Sequence, residues 1–424
     1  MPTLESLTAE PTAPPVSIAL GKKFSYGPTV LQPDVPIVTG PNGSESNKDE
    51  ATTPLDALEK FVGTFSGFGF NTIFRPNSTK TTTPSELHII PTDEEKDNLL
   101  QLNLTSETMV FTKPLGNVPN RGLGPQADVN LNGLSYTQSI VDTMDPTLKG
   151  SEIPVIHFEP GLWMRVPAVD TMPKLKASYV RMASIPHGTT IHAQCYEEAK
   201  TLPGPPNFPV VDITPIILGH RPRPHRFLNQ DASNKKTRRL PQNLGPFIED
   251  GTITQKILDN PNLVLEIANE GKHIIDHTTF TVMTEPPANE FGGGTSNIGF
   301  LVGADKGSVF EASAARQSGN ANAVTVTAQY WISTVRAEIK IAPCKKAEYK
   351  KISPVTRPND SRDAVPTVLI DEDITSTKTL TFEYNQIQYS QVVNLDFNGL
   401  RWPHITVATL APSDLLYSAL KLQK

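Results

Sequence analysis

Side chains alternate with a period of two in some stretches of this chain. The alternation is clear in residues 63–73, where small and large side chains take turns, and a short run with helical spacing precedes it at Leu55, Leu58, Phe61 and Val62. Successive side chains of a β-strand point to opposite faces, whereas a spacing of three to four residues lines one side of a helix. We therefore predict a short helix that leads into a glycine-rich strand.

Further strands are predicted from runs that are rich in β-branched and aromatic residues and are bounded by Pro, Gly or Asn. These runs cover residues 87–90, 99–111, 130–142, 153–166, 179–185, 189–195, 278–284, 298–302, 324–341, 378–397 and 405–410. The pattern breaks between about residue 200 and residue 275, where a proline-rich stretch and a basic run precede helix-like pieces at 253–258 and 263–268.

Strands without long connecting helices favour antiparallel neighbours, and closing the sheet removes its exposed edges. The chain has 39 proline and 27 glycine residues, which suits many strands joined by turns. We predict an all-β protein: a single large antiparallel β-barrel over residues 54–424, with a mostly irregular N-terminal arm over residues 1–53. The segment at about 200–275 is predicted to be an inserted loop and helix cap.

The net charge and the composition limit the classes of binding partner that the sequence favours. The net charge of −6, from 38 basic and 44 acidic residues, creates no field that would attract nucleic acid. The two cysteines, Cys195 and Cys344, belong to no metal-binding motif or disulfide framework, although the sequence leaves open that they pair in space. The sequence shows neither a secretory signal nor a window of about 18 apolar residues. We expect a cytoplasmic protein with a small-molecule ligand or substrate, no nucleic-acid or membrane partner, and an oligomeric state that the sequence leaves open.

The chemically richest stretch is residues 157–165, which read His-Phe-Glu-Pro-Gly-Leu-Trp-Met-Arg. Buried polar groups need partners or a ligand, because an unsatisfied one costs about 2–7 kcal/mol. His157, Glu159 and Arg165 are therefore candidates either for a catalytic group in a pocket wall or for a hydrogen-bonded latch at a strand turn.

Four segments, in this order, resemble the nitrobindin-type haem-binding β-barrels of the calycin group. Residues 63–69, Gly-Thr-Phe-Ser-Gly-Phe-Gly, are similar to that family's first strand, with Phe65 in the place of a tryptophan. Residues 157–161, His-Phe-Glu-Pro-Gly, resemble its strand turn, and residues 190–194, Thr-Ile-His-Ala-Gln, take the place of the strand that follows. Residues 402–410, Trp-Pro-His-Ile-Thr-Val-Ala-Thr-Leu, are similar to its C-terminal strand.

The resemblance implies that His404 is the axial ligand of haem b iron and that His157 lies on the opposite side of the pocket, where His157 or Arg165 would polarise a bound oxidant. The other residues it places around the cofactor are Phe65, Trp163 and Trp402. The implied activity is peroxidase-like or peroxynitrite isomerase-like. The matched segments cover well under a quarter of the chain, and the insertion has no counterpart in the family.

Other interpretations stay open. The barrel could be a lipocalin-like, metal-free enzyme or carrier for a small apolar metabolite, in which His157 and Glu159 transfer a proton. His187, His192 and Glu159 could bind a metal, and His273 and His277 could share a helix face, although a solvated segment is the simpler expectation.

Two further segments, one basic and one glycine-rich, are predicted to be loops. The basic run at 221–239 is predicted to be a solvated loop, with phosphate or carboxylate binding as the alternative. The glycine-rich residues 291–295 are predicted to form a flexible loop, because they lack the sequence of a phosphate-binding motif.

Overall fold

A computed structural model describes residues 53–76, 98–124, 128–170, 174, 176–286, 292–298, 321–358, 360–397 and 399–423. Contacts divide the chain into one unit at Met1–Ala51 and another at Thr52–Lys424. The predicted N-terminal arm and the strand predicted at 87–90 lie outside the described residues, except for Thr53. So does most of the strand predicted at 298–302.

The described part of the chain is built mainly from strands. In chain order they are β1 (Gly63–Pro76), β2 (Asn98–Phe111), β3 (Val118–Asn120), β4 (Val129–Asp142), β5 (Val155–Val166), β6 (Ser178–Ser184), β7 (Thr189–Gln194), β8 (Lys200–Pro203), β9 (Ile216–Ile217), β10 (Arg223–Pro224), β11 (Arg239–Leu240), β12 (His273–Met283), β13 (Gly294–Asn297), β14 (Asn322–Ile341), β15 (Lys351–Ile352), β16 (Val368–Leu369), β17 (Lys378–Phe397), β18 (Leu400–Pro412) and β19 (Leu415–Leu416).

The helices are short. The α-helices are α1 (Gly245–Glu249), α2 (Gln255–Asp259), α3 (Leu263–Ile267) and α4 (Tyr417–Leu420). The 3₁₀-helices cover Asp56–Phe61, Gly150–Glu152, Leu228–Gln230, Lys346–Glu348 and Lys421–Gln423.

Within the described residues, ten strands close into an antiparallel β-barrel in the order β1-β2-β4-β5-β6-β7-β12-β14-β17-β18. The barrel closes where β18 pairs with β1, with Phe65 opposite Pro412 and Thr72 opposite Ile405. The prediction of an all-β barrel is confirmed, and the architecture is compatible with a calycin-like fold.

Aromatic side chains fill one end of the barrel. The 3₁₀-helix Asp56–Phe61 places Phe61 against Phe111, with ring centroids 5.0 Å apart, and against Trp163 at 5.8 Å. Trp163 also packs edge-on against Tyr330 at 5.1 Å. This end of the interior is therefore solid core, which leaves room for a ligand only further along the strands.

The segment at about 200–275 packs against the outside of the barrel wall. Its members Phe208, Phe227, Ile257 and Leu265 share a buried cluster with outward-facing residues of β1, β2, β14 and β18, among them Trp402. Both faces of β18 are consequently buried. A third cluster forms where the long antiparallel pair of β14 and β17 packs with β16 and α4.

Glycine allows β1 and β18 to approach closely. A Cβ atom on Gly67 would lie 2.0 Å from the carbonyl oxygen of Thr409. We expect Gly67→Ala to lower the free energy of unfolding by about 1–3 kcal/mol in urea denaturation, because the two strands must separate. Gly188→Ala is the control, since a Cβ there meets Ile185 at an ordinary 3.6 Å. Equal stability of the two variants would contradict the close approach.

Candidate functional site

A cavity of about 370 Å³ lies inside the barrel, beyond the aromatic core. Its position follows from the strands: on β18, Ala408 and Leu410 belong to the core, whereas His404 and Thr406 line the cavity. The aliphatic part of its wall consists of Ile73, Ile140, Ile185, Val393 and Leu395. Three imidazoles also line it, those of His157, His187 and His404. The two histidines that the sequence singled out thus share one cavity.

A chain of amides holds His404 in place. The carboxylate of Asp142 accepts a hydrogen bond from Asn103 Nδ2 at 2.8 Å, and Asn103 Oδ1 accepts one from Asn71 Nδ2 at 3.5 Å. Asn71 Oδ1 therefore faces His404 Nε2, at 2.8 Å, and also accepts from Thr406 Oγ1 at 3.2 Å. Because Asn71 Oδ1 can only accept, Nε2 carries the proton and Nδ1 keeps its lone pair.

Burial keeps His404 uncharged. Desolvation, together with the nearby imidazoles of His157 and His187, lowers the pKa of His404 to about 3. At neutral pH the ring is a neutral imidazole, the form that binds metals. No hydrogen bond joins Nδ1 to any of the described residues.

His157 is oriented by a buried carboxylate. His157 Nε2 lies 3.1 Å from Glu159 Oε2, and Glu159 is fully buried. The two side chains share the inner face of β5, whereas Phe158 between them is 45% exposed. His187 packs edge-on against His157, with ring centroids 4.9 Å apart.

Arg181 neutralises Glu159. Its Nη2 and Nε donate to Glu159 Oε1 at 2.6 and 3.2 Å, and the hydroxyl of Tyr136 donates to the same oxygen. Burial alone would raise the pKa of Glu159, but the charge of Arg181 and the hydrogen bonds from His157 and Tyr136 outweigh it and lower this pKa to about 2. Glu159 is therefore ionised in the folded protein.

A second buried carboxyl, Glu107, behaves in the opposite way. It accepts hydrogen bonds from Tyr389 Oη at 2.7 Å and from Gln138 Nε2 at 2.8 Å, and both donors line the floor of the cavity. Desolvation raises the pKa of Glu107 to about 7, and its two hydrogen bonds only partly oppose this shift. No cationic side chain among the described residues contacts Glu107 to lower the pKa further. Two carboxyls below one cavity thus differ in pKa, because only Glu159 is paired with an arginine.

This difference predicts a pH-dependent stability. Glu107 ionises near pH 4.5 in the unfolded chain and near pH 7 in the folded one. Its contribution is complete below pH 4.5 and is lost as the pH rises to about 7, because the unfolded chain ionises in this range while the folded state still holds the proton. Relative to Glu107→Gln, the wild type should lose on the order of 3 kcal/mol of unfolding free energy over that range. Urea denaturation across these pH values checks it, and parallel curves would contradict it.

The other residues predicted for the site lie elsewhere. Arg165 pairs with Asp56 at 2.6 Å and lines a different groove. Phe65 and Trp163 belong to the aromatic core. Trp402 packs on the outer wall, where its Nε1 donates to the carbonyl of Phe397. The residues that sequence reasoning missed are Arg181, Glu107, Tyr136, Gln391 and Asn71.

Among the described residues, no group of three His, Cys, Asp or Glu side chains could hold a metal ion. His192 is exposed on β7, whereas Glu159 is fully buried and His187 lines the cavity. His273 and His277 lie on strand β12 and not on a helix, and His277 Nδ1 lies 2.8 Å from the carbonyl oxygen of Gly204.

The basic run is only partly a solvated loop. Arg226 pairs with Asp259 at 2.7 Å, and Arg239 is fully buried, where it donates to backbone carbonyls, including those of Asp231 and Asn234 at 2.7 Å each. In the glycine-rich stretch, residues 294–297 form β13, which pairs with β7. Cys195 and Cys344 are free and buried.

None of the helices in the described ranges has the length and apolar character needed to cross a membrane. Comparison with family models, with curated proteins and with solved structures finds no match to this chain.

Proposed function

We propose that the cavity binds haem b and that His404 would hold the cofactor through its iron. The observation that carries the proposal is a buried, neutral imidazole with one nitrogen held by Asn71 and the other unbonded, at an aliphatic cavity inside a barrel. A metal-binding histidine characteristically donates its second ring N–H to a fixed acceptor, which sets the tautomer and raises its basicity. Asn71 is that acceptor here.

The remaining lining suits the same ligand. Aliphatic side chains complement the faces of a macrocycle, and Arg75 lines the cavity with one guanidinium nitrogen, Nη1, 3.1 Å from Gln101 Oε1. The other guanidinium donors match the carboxylates that haem carries. The cavity volume of about 370 Å³ lies at the lower end of the range of about 300–1,000 Å³ for small-molecule pockets.

When bound, haem supplies an iron that can take a diatomic gas or a peroxide, and the surrounding polarity decides the outcome. The protein side chains would supply the proton chemistry. His157, held by ionised Glu159, has a second nitrogen that can accept or return a proton near the ligand. This arrangement favours a peroxidase-like or peroxynitrite isomerase-like activity on a small oxidant.

Titration of the purified protein with hemin tests the proposal. We expect a saturable shift of the Soret absorption band that ends at one haem per chain. A spectrum identical to that of free hemin at every ratio would remove the assignment.

The hydrogen bond between His157 and Glu159 favours a second candidate, a metal-free enzyme that transfers a proton on a small apolar metabolite. In many enzymes, an imidazole that is oriented by an ionised carboxylate acts as the general acid and general base. Activity that persists in colourless protein after chelation, and that is lost in His157→Gln, would select this candidate over haem.

A further inference from the structure

A hydrogen bond from Arg181 fixes the orientation of the Gln391 side chain. Gln391 is 8% exposed, lies on β17 and lines the cavity. Arg181 Nη1 donates to Gln391 Oε1 at 2.5 Å. Arginine has only donors, so the atom that faces it must be the amide oxygen. Arg181 is in turn held by Glu159 at 2.6 Å.

This orientation leaves the amide nitrogen of Gln391 available. No hydrogen bond joins Nε2 to any of the described residues. The neighbouring donors of the cavity floor are already engaged with the protein. Tyr389 Oη and Gln138 Nε2 donate to Glu107, and Thr406 Oγ1 donates to Asn71.

We propose that Gln391 is a specificity-determining residue of the cavity, which selects small apolar molecules that carry a carbonyl-type acceptor oxygen. Nε2 donates a hydrogen bond to that oxygen, and the Glu159–Arg181 ion pair keeps the amide turned toward it. The inference rests on the proposed use of the cavity as a ligand site, but it does not require haem. A buried donor that a ligand leaves unpaired discriminates strongly against that ligand.

A matched pair of probes isolates this hydrogen bond. Acetophenone and α-methylstyrene have almost the same shape, but the first has a carbonyl oxygen where the second has a methylene group. Calorimetric titration of the haem-free protein with each compound gives the ratio of their affinities. Comparing that ratio between variants removes their difference in hydrophobicity.

Two substitutions address the donor itself. Gln391→Leu removes it, and Gln391→Glu keeps an acceptor for Arg181 while replacing the amide nitrogen by oxygen. We expect both to weaken acetophenone about 5- to 10-fold relative to α-methylstyrene. Gln388→Leu is the matched control on the same strand, because Gln388 bonds outside the barrel to Leu265 and Thr409. It should leave the ratio unchanged. Val393→Trp fills the cavity and should abolish binding of both probes.

If both compounds bind and the ratio is the same in wild type, Gln391→Leu and Gln391→Glu, Gln391 does not select the ligand, although the cavity remains a binding site. If neither compound binds the wild type, the inference fails together with the use of the cavity for small ligands. A failed hemin titration alone leaves the inference intact.

Discussion

Replacing Arg181 with leucine is expected to lower the free energy of unfolding by about 3–5 kcal/mol. The substitution leaves the fully buried carboxylate of Glu159 without its cation, and an uncompensated buried charge costs about that much. The other two partners of Glu159, His157 and Tyr136, form hydrogen bonds with the carboxylate but do not supply the permanent positive charge of an arginine. Urea denaturation at neutral pH measures the loss.

Two further variants test the reason for this loss. Arg165→Leu removes a more exposed arginine, whose partner Asp56 has a 43% exposed side chain, and should cost about 1 kcal/mol or less. The double variant Arg181→Leu with Glu159→Gln should lose less than the sum of its single changes, because no buried charge is left. Equal costs at positions 181 and 165 would contradict the role of Arg181.

His404→Ala is expected to weaken hemin binding at least about 100-fold. Loss of an outer-shell partner of a metal ligand already costs about 10- to 100-fold in affinity, so loss of the ligand itself must cost more. Asn71→Ala, which removes the acceptor behind His404 but keeps the imidazole, should weaken hemin binding by that smaller factor of about 10 to 100. The measurement is the dissociation constant from the Soret absorption of each variant.

His157→Ala is the matched control, since it removes an imidazole from the same cavity but keeps His404, the proposed iron-binding residue. It should retain hemin binding within about 10-fold, a smaller loss than that of a ligand. A His404→Ala variant that binds hemin as tightly as the wild type would end the assignment of His404.

The strands were predictable because one face of each barrel strand is buried, so that alternation fixes both the strand and its inward residues. Residues 378–397 were predicted with the bounds that β17 has, and the prediction at 99–111 differs from β2 by one residue. Alternation fails on β18, since the segment at about 200–275 covers its outer face. Trp402 could therefore not be assigned to the outside from the pattern alone.

The partners of the polar residues could not be predicted, because they depend on which strands are neighbours. Glu159 and Arg165 are close in sequence, which made Arg165 the natural partner, but the pairing of β5 with β6 brings Arg181 to Glu159 instead. A signal for Arg181 was present: it has the same parity as Tyr179 and Ala183, which face inward, and an inward arginine needs a carboxylate. Glu107 on β2 is also a charged residue at an inward position. The sequence does not indicate, however, that none of the described cationic side chains contacts it in the folded protein.

The central claim is that haem enters the cavity shared by His157 and His404. The most direct measurement is hemin titration, followed by Soret absorption, of the wild type beside Val393→Trp, in which an indole fills that cavity. We predict a saturable shift at one haem per chain in the wild type and none in Val393→Trp, with both proteins folded by circular dichroism. The same shift in both proteins, or no shift in the wild type, would contradict the claim.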